Sequence, residues 1–191
     1  MATLRQSTLS QFKQDGLVRE GHFSFSSGLH SGALLDMEYL TTDPSAVEHM
    51  AYRIAKHFFS DHVQTVASPS IQGAGLALWV ANFLDPKARV VSAELADDAP
   101  YIPEHLSDLV RGKRVLIVDD IIVSGDLCLP LKASVLALGG EVVGIAALWN
   151  VGEAQHGGPP VFGLLNTAYE AWPASACPLC ASTLAIEPTP Y

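Results

Sequence analysis

The chain has 191 residues, 49% of them hydrophobic and 16% charged, which fits one folded domain and excludes a disordered chain, a collagen-like fibre or a small disulfide-linked scaffold. Its formal net charge of −9 argues against duplex nucleic acid or an anionic membrane as the main partner. Its apolar runs are far shorter than the ~18 residues that a membrane-spanning helix needs, and the N-terminus lacks a signal-peptide pattern. With only three cysteines, the sequence predicts a cytoplasmic protein.

From position 43 onward, helix and strand patterns alternate along the chain. The predicted elements are a helix starting at Asp43-Pro44, a strand over 63–67, a loop over 68–73, a helix to Leu84, a strand over 89–95, an irregular segment over 96–111, a strand over 114–118, a helix over 129–138, and strands over 141–149 and 161–165. This alternation predicts an α/β fold with a mostly parallel central sheet and helices on both faces. The segments before 43 and after 152 do not alternate, and we expect them to cap the carboxyl edge of the sheet.

The segment over 115–125 is the most informative one for chemistry. A wholly apolar strand leads to Asp119 and Asp120, and a loop with Ser124 and Gly125 follows before the next helix. Adjacent carboxylates at a strand end can accept hydrogen bonds from the vicinal hydroxyls of a ribose, and a Ser-Gly turn at a helix N-terminus offers backbone N–H groups to a phosphate. The segment therefore predicts a site for a 5-phosphorylated ribose. The alternative is that the acids form only a strand-end turn and a helix cap.

Segment 115–125 resembles the phosphoribosyl-pyrophosphate signature of type I phosphoribosyltransferases. The run over 21–31, with Asp36 after it, resembles the hood of orotate phosphoribosyltransferases, and residues 68–77 stand where their pyrophosphate loop lies. The tail with Trp172 and the Cys177–Cys180 motif resembles a subgroup of the same enzymes. The resemblance covers nearly the whole chain and implies one phosphoribosyltransferase-like domain over 1–191, with a small N-terminal hood at 1–42, a core at 43–152 and a C-terminal hood or tail at 153–191.

The resemblance also implies a function and a set of site residues. The reaction is an Mg²⁺-dependent transfer of the phosphoribosyl group from phosphoribosyl pyrophosphate to a base, which is the pyrimidine orotate in the namesake family. The implied partners are a small-molecule phosphoribosyl ligand and a second copy of the chain in a homodimer. The implied site residues are the catalytic Asp119 and Asp120, a phosphate loop of Val123, Ser124, Gly125, Asp126 and Leu127, a pyrophosphate loop of Ser68, Pro69, Ser70, Ile71, Gln72 and Gly73, and a base pocket of Phe25, Ser26, Ser27 and Gly28.

The phosphate loop departs from the family pattern, which usually reads Thr-Thr-Gly-Gly followed by Thr or Ser. Here Val123 and Leu127 replace two hydroxyl donors, and Asp126 replaces a glycine. A carboxylate that points at the phosphate would repel it. The alternative is that Asp126 caps the following helix.

Two further departures concern charge and the base. The stretch over 90–110 carries five acids and no lysine or arginine, whereas orotate-type enzymes place both there. Arg111, Lys113 and Arg114 follow it and are predicted to be solvated charges at a strand start. Val151 stands where the family commonly has an arginine for the orotate carboxylate, and residues 33–35 stand near its base-packing aromatics. These departures favour an alternative function, a catalytically silent homologue that binds the ligand in a regulatory or structural role.

Cys177 and Cys180 form a Cys-x-x-Cys motif, which is half of the four ligands that a structural zinc site needs. Cys128, His156 or a second copy of the chain are the candidates for the remainder. The interpretation adopted from sequence is a pair of reduced thiols with no metal, and His22 and His30 as ordinary residues of a hood loop. The weaker alternative is an interaction module in which Cys177 and Cys180 bind a metal.

Overall fold

The computed structural model describes residues 9–10, 12–14, 16–151, 161–166, 169–182 and 184–189, which leaves out His156. Within these ranges, no helix is both long and apolar enough to cross a bilayer. The strands are β1 (Val18–Ser24), β2 (Leu29–Leu35), β3 (Thr65–Ser68), β4 (Arg89–Ser92), β5 (Glu94–Ala96), β6 (Ala99–Tyr101), β7 (Arg114–Ile122), β8 (Glu141–Asn150), β9 (Val161–Asn166), β10 (Ala171–Pro173) and β11 (Glu187–Pro188). The α-helices that lie within continuously described residues are α1 (Met37–Thr41), α2 (Pro44–His57), α3 (Ile71–Leu84) and α4 (Cys128–Ala137).

Five parallel strands form the central sheet, in the order β4-β3-β7-β8-β9. The middle strand β7 is buried over 115–122, because helices cover both faces of the sheet. On one face α2 and α3 pack against Leu116 and Val118, and on the other α4 packs against Val115 and Ile117. The predicted α/β fold with a mostly parallel sheet is confirmed.

The helix boundaries follow from local sequence chemistry. The carboxylate of Asp43 accepts hydrogen bonds from the backbone N–H groups of Ser45 and Ala46, and Pro44 occupies the first helical position of α2. Just past the end of α4, Gly139 adopts a φ of +81°, a conformation that favours glycine. These signals are readable in the sequence, which explains why the predicted boundaries of α2, α3 and α4 agree closely with the structure.

A second sheet, with the strand order β10-β2-β1-β11, joins the N-terminal and C-terminal parts of the chain, and we call it the hood sheet. β1 and β2 form an antiparallel hairpin, β10 pairs with the outer edge of β2, and β11 pairs with the outer edge of β1. The tail, described over 174–182 and 184–186, therefore runs from one edge of the hairpin to the other. The prediction that His22 and His30 belong to a loop is wrong, because they lie within β1 and β2.

The acidic stretch is more ordered than the sequence indicated. The predicted strand over 89–95 is divided into β4 and β5, and the segment over 96–111 contains β6 and a 3-10 helix, Glu104–Leu109. β5 and β6 form a short hairpin whose turn residues Asp97 and Asp98 have φ values of +49° and +63°. Aspartate tolerates this left-handed region better than most residues, so the two acids act here as turn residues.

Candidate functional site

A cleft of about 750 Å³ lies at the carboxyl edge of the central sheet. Four parts of the chain line it: the tip of the β1–β2 hairpin, the loop between β3 and α3, the segment around β5, and the end of β7 with the loop after it. The lining residues are 26–27, 69–72, 93, 95, 98 and 119–128. Open parallel sheets bind their ligands at this edge, so the cleft is the candidate site.

Most of the residues predicted from sequence line this cleft. Asp119, Asp120, the phosphate loop over 123–127, the residues over 69–72, and Ser26 with Ser27 all do so. The four predicted residues that do not are Phe25, Gly28, Ser68 and Gly73. Phe25 is buried in the hydrophobic core, and Ser68 and Gly73 lie behind the cleft wall, where they support it.

Asp119 and Asp120 are both almost fully buried, although they border the cleft. Burial, and then the neighbouring carboxylate of Asp120, raise the pKa of Asp119 well above its ordinary range, while a hydrogen bond from Ser70 Oγ to Asp119 Oδ1 (2.6 Å) opposes this rise. Burial also raises the pKa of Asp120, against a hydrogen bond that its Oδ1 accepts from the backbone N–H of Ile121. The buried Oδ2 of Asp120 has no hydrogen-bond partner among the described residues, so this acceptor beside the cleft is unsatisfied.

The loop between β3 and α3 holds Asp119 through Ser70, which has two roles. Its hydroxyl donates to Asp119 and also accepts a hydrogen bond from the backbone N–H of Gly73, which caps α3. The helix can approach β7 this closely because Gly73 has no side chain. A Cβ at position 73 would lie 2.6 Å from Asp119 Oδ1 and 3.0 Å from the Cα of Asp119.

Replacing Gly73 with alanine should therefore destabilise the protein by about 1–3 kcal/mol and move Asp119. Gly75 provides the matched control in the same helix, because a Cβ there meets nothing within 4 Å. Gly75→Ala should stabilise the protein by about 0.5–1 kcal/mol, since alanine is the better helix former. Urea unfolding of both variants measures the two effects. Equal free energies of unfolding for both variants would show that α3 does not press on Asp119.

Asp126 does not cap the helix that follows the phosphate loop. Its Oδ2 accepts a 2.6 Å hydrogen bond from Ser124 Oγ, and the N-terminal capping position of α4 is Leu127, which makes no side-chain cap bond. The prediction that Asp126 caps the helix is therefore wrong. The carboxylate lies within the loop that borders the cleft, and it holds the hydroxyl of Ser124, which the loop would otherwise offer to an anion.

The charge of the cleft is negative. Four of its lining residues are aspartates, Asp98, Asp119, Asp120 and Asp126, and none of those from the described part of the chain is a lysine or arginine. Arg114 begins β7, at the end of the strand opposite to the acids, where it pairs with Glu141 at 2.6 Å. It therefore cannot replace the missing cations of the cleft.

The positions that the resemblance assigned to base recognition lie in the core. Val151 and residues 33–35 are buried in the main hydrophobic cluster and do not line the cleft. The hood instead contributes Ser26 and Ser27, and Ser27 Oγ is buried with no hydrogen-bond partner within the described ranges. Sequence reasoning did not predict that Ala93, Leu95 and Cys128 line the cleft, because nothing in these residue types points to a ligand.

The sequence of the chain is similar to those of known proteins. A family model described as the phosphoribosyl transferase domain matches residues 38–160. The chain is 32% identical over 181 residues to an orotate phosphoribosyltransferase of Sulfurimonas denitrificans, covering 85% of this chain and 87% of that one. It is 31% identical over 179 residues to that of Carboxydothermus hydrogenoformans, covering 89% of each.

Solved structures show the same fold. Orotate phosphoribosyltransferase from Aeropyrum pernix superposes with a TM-score of 0.65 at 22% identity, over 82% of this chain and 92% of that one. Leishmania donovani UMP synthase superposes with a TM-score of 0.67 at 20% identity, over 87% of this chain and 36% of that larger one.

Proposed function

Because this chain belongs to the phosphoribosyltransferase family, we propose that it binds phosphoribosyl pyrophosphate with Mg²⁺ and transfers the phosphoribosyl group to a pyrimidine base. The observation that carries the proposal is the buried pair Asp119 and Asp120 at the wall of the cleft, with Asp120 Oδ2 lacking a partner in the described chain. The relatives named orotate phosphoribosyltransferase support the orotate type of base.

The carboxylate pair would hold the ribose. The free oxygen of Asp120 would accept a hydrogen bond from a ribose hydroxyl, and the hydrogen bond from Ser70 fixes the orientation of the neighbouring Asp119. Negative charge next to the ribose would also stabilise the positive charge that develops on the sugar as pyrophosphate leaves.

The phosphates would lie at the N-terminal ends of two helices. Ile71 and Gln72 of α3 and Cys128 of α4 line the cleft, so the positive ends of both helix dipoles border it. The loop before α4 contains Gly125 with a φ of +85°, which lets backbone N–H groups turn toward an anion. These backbone groups are the main positive feature available to a phosphate in this cleft.

The acids of the cleft also fit a hard cation, since Mg²⁺ prefers carboxylate oxygens and phosphate oxygens as ligands. Asp119 and Asp120 are the lining residues that would hold it beside the ribose. When bound, Mg²⁺ would neutralise charge on the leaving pyrophosphate.

A second candidate function is a silent homologue that binds the ligand without turnover. It is favoured by the four aspartates that line the cleft without a lysine or arginine from the described residues, and by the carboxylate of Asp126 in the phosphate loop. Such a protein would bind phosphoribosyl pyrophosphate through the same acids and backbone groups. It would lack the cations that stabilise the departing pyrophosphate.

Pyrophosphate release separates the two functions. We expect release from phosphoribosyl pyrophosphate that requires both Mg²⁺ and one base from a panel of orotate, uracil and purines. Calorimetric binding of phosphoribosyl pyrophosphate with no release for any base would establish the silent homologue instead. If neither binding nor release occurs, both functions are excluded.

We also propose that the protein acts as a cytoplasmic homodimer. Support for association comes from large apolar side chains exposed on adjoining helices, Tyr52 on α2 and Leu78 on α3. Support for a reducing compartment comes from Cys128, Cys177 and Cys180, none of which forms a disulfide. Light scattering during size-exclusion chromatography tests the dimer, and a single mass equal to the monomer would contradict it.

A further inference from the structure

Four side chains that commonly ligate metals come together in the hood sheet. His22 lies on β1, His30 lies on β2, and Cys177 and Cys180 lie in the tail that crosses this hairpin. Their ligand atoms all lie within 4.8 Å of one another. None of the four lines the cleft, so the cluster is separate from the proposed ribose site.

Four of the six distances between the ligand atoms are close to those of a tetrahedral site. With Zn–N at ~2.0 Å and Zn–S at ~2.3 Å, an ideal tetrahedron places two nitrogens ~3.3 Å apart and a nitrogen and a sulfur ~3.5 Å apart. Here His22 Nε2 and His30 Nδ1 are 3.1 Å apart. Cys177 Sγ is 3.5 Å and Cys180 Sγ is 3.7 Å from His22 Nε2, and Cys180 Sγ is 3.2 Å from His30 Nδ1.

The ring of His22 is oriented as in a metal ligand. Its Nδ1 lies 3.4 Å from the carbonyl oxygen of Leu184, which can only accept, so an N–H at Nδ1 would donate to this carbonyl and leave Nε2 as the ligating atom. The lone pair of Nε2 then faces His30 Nδ1 and both sulfurs. A carbonyl that fixes the tautomer of a ligating histidine from behind is the usual arrangement around protein-bound zinc.

Burial and chain position fit a structural metal. His22, His30 and Cys177 are buried and Cys180 is exposed, so the ligand set is nearly closed. The cluster links the hairpin to the tail that connects β10 with β11. Between the two cysteines, the side chain of Leu179 lies close to Gly32 of β2, since a Cβ at position 32 would be 3.7 Å from it. A metal here would fasten the tail across the hairpin whose tip borders the cleft.

We propose that His22, His30, Cys177 and Cys180 bind one Zn²⁺ ion per chain in a closed tetrahedral site. Two imidazoles and two thiolates in this geometry select zinc over magnesium or calcium, which prefer oxygen ligands. The site completes within one chain and needs neither Cys128 nor a second copy.

Metal analysis of untagged protein tests this directly, because an added histidine tag would itself bind zinc. We expect about one zinc per chain after size-exclusion chromatography, and tetrahedral thiolate–cobalt absorption bands when Co²⁺ replaces it. Zinc far below one per chain together with a Cys177–Cys180 disulfide by mass spectrometry would overturn the site. Iron or nickel in place of zinc would overturn the assignment of the metal.

Two ligand variants and two controls make the test specific. Cys180→Ser and His30→Ala should each weaken zinc binding by more than about 100-fold in a chelator competition. Cys128→Ser, which removes the remaining cysteine, and His105→Ala, at an exposed position, should keep full zinc content. Loss of zinc in the controls, or its retention in both ligand variants, would contradict the proposal.

Thermal unfolding of the wild-type protein provides a measurement that does not depend on a variant folding. Removal of zinc with a chelator should lower the melting temperature, and added Zn²⁺ should restore it, while added Mg²⁺ should not. This result is independent of phosphoribosyl transfer, so the zinc site can fail while the proposed function holds. A melting temperature that is unchanged by chelation at confirmed zinc loss would exclude a structural metal.

Discussion

Replacing Asp126 with asparagine is expected to tighten the binding of a 5-phosphorylated ribose by at least about 10-fold, measured by isothermal titration calorimetry. The Asp126 carboxylate lies in the loop that would surround the phosphate and occupies the Ser124 hydroxyl. Asparagine has the same shape and can still accept from Ser124, so it removes only the charge. Asp126→Gly, which restores the glycine of the family pattern, should also increase the affinity for the phosphorylated ribose.

Asp98→Asn is the matched control for this gain. Asp98 also lines the cleft, and its φ of +63° is one that asparagine tolerates. Asp98→Asn removes the same charge from a lining residue outside the phosphate loop, so a smaller gain in affinity is expected. The gain in affinity from Asp126→Asn should also become smaller as salt is added, since salt screens repulsion between exposed charges. Equal affinities for wild type and Asp126→Asn would show that this carboxylate does not face the phosphate.

Replacing Asp120 with asparagine should lower turnover by about 100-fold or more, while the protein remains folded. The change removes the unpartnered carboxylate oxygen that we assign to the ribose. The matched control is Asp108→Asn, which removes the same charge from an exposed position outside the cleft. Steady-state pyrophosphate release measures both variants. Turnover near the wild-type value for Asp120→Asn would remove this residue from the catalytic set.

The same substitution should make the ligand-free protein more stable. Burial raises the pKa of Asp120 in the folded state, so the folded protein holds this proton more tightly than the unfolded chain. The contribution of this proton to the free energy of unfolding is fully present below the ordinary carboxyl pKa. It is lost as the pH rises through the raised pKa of Asp120 in the folded protein. Asp120→Asn should therefore raise the melting temperature by about 2 °C or more above pH 7 and make it less dependent on pH. A lower melting temperature at pH 8 would contradict this.

The sequence predicted the frame of the site better than its surroundings. β7 was recognisable because a strand buried on both faces is rich in apolar residues. The start of α2 was recognisable because a capping aspartate and a first-turn proline, Asp43 and Pro44, act through local contacts. Both acids of the signature follow that strand directly. Their placement at the cleft could be predicted from the general rule that ligands bind at the carboxyl edge of parallel sheets.

What could not be predicted depends on contacts between distant parts of the chain. His22 and Cys180 are 158 positions apart, and only the pairing of the tail with the hairpin brings them together. The one signal in the sequence was that His22 and His30 lie on two short segments that can pair as a hairpin, because paired strands can place such residues side by side. The hydrogen bond between Ser124 and Asp126 was equally hidden, since propensities alone favour Asp126 as a helix cap.

The most direct test of the carboxylate pair as a ribose site compares two ligands that differ by one hydroxyl. We expect ribose 5-phosphate to bind the wild-type protein at least about 10-fold more tightly than 2-deoxyribose 5-phosphate, because the deoxy sugar leaves a buried carboxylate oxygen without a donor. In Asp120→Asn this preference should largely disappear. Equal affinity of the wild-type protein for the two sugars would contradict the assignment of Asp119 and Asp120 to the ribose hydroxyls.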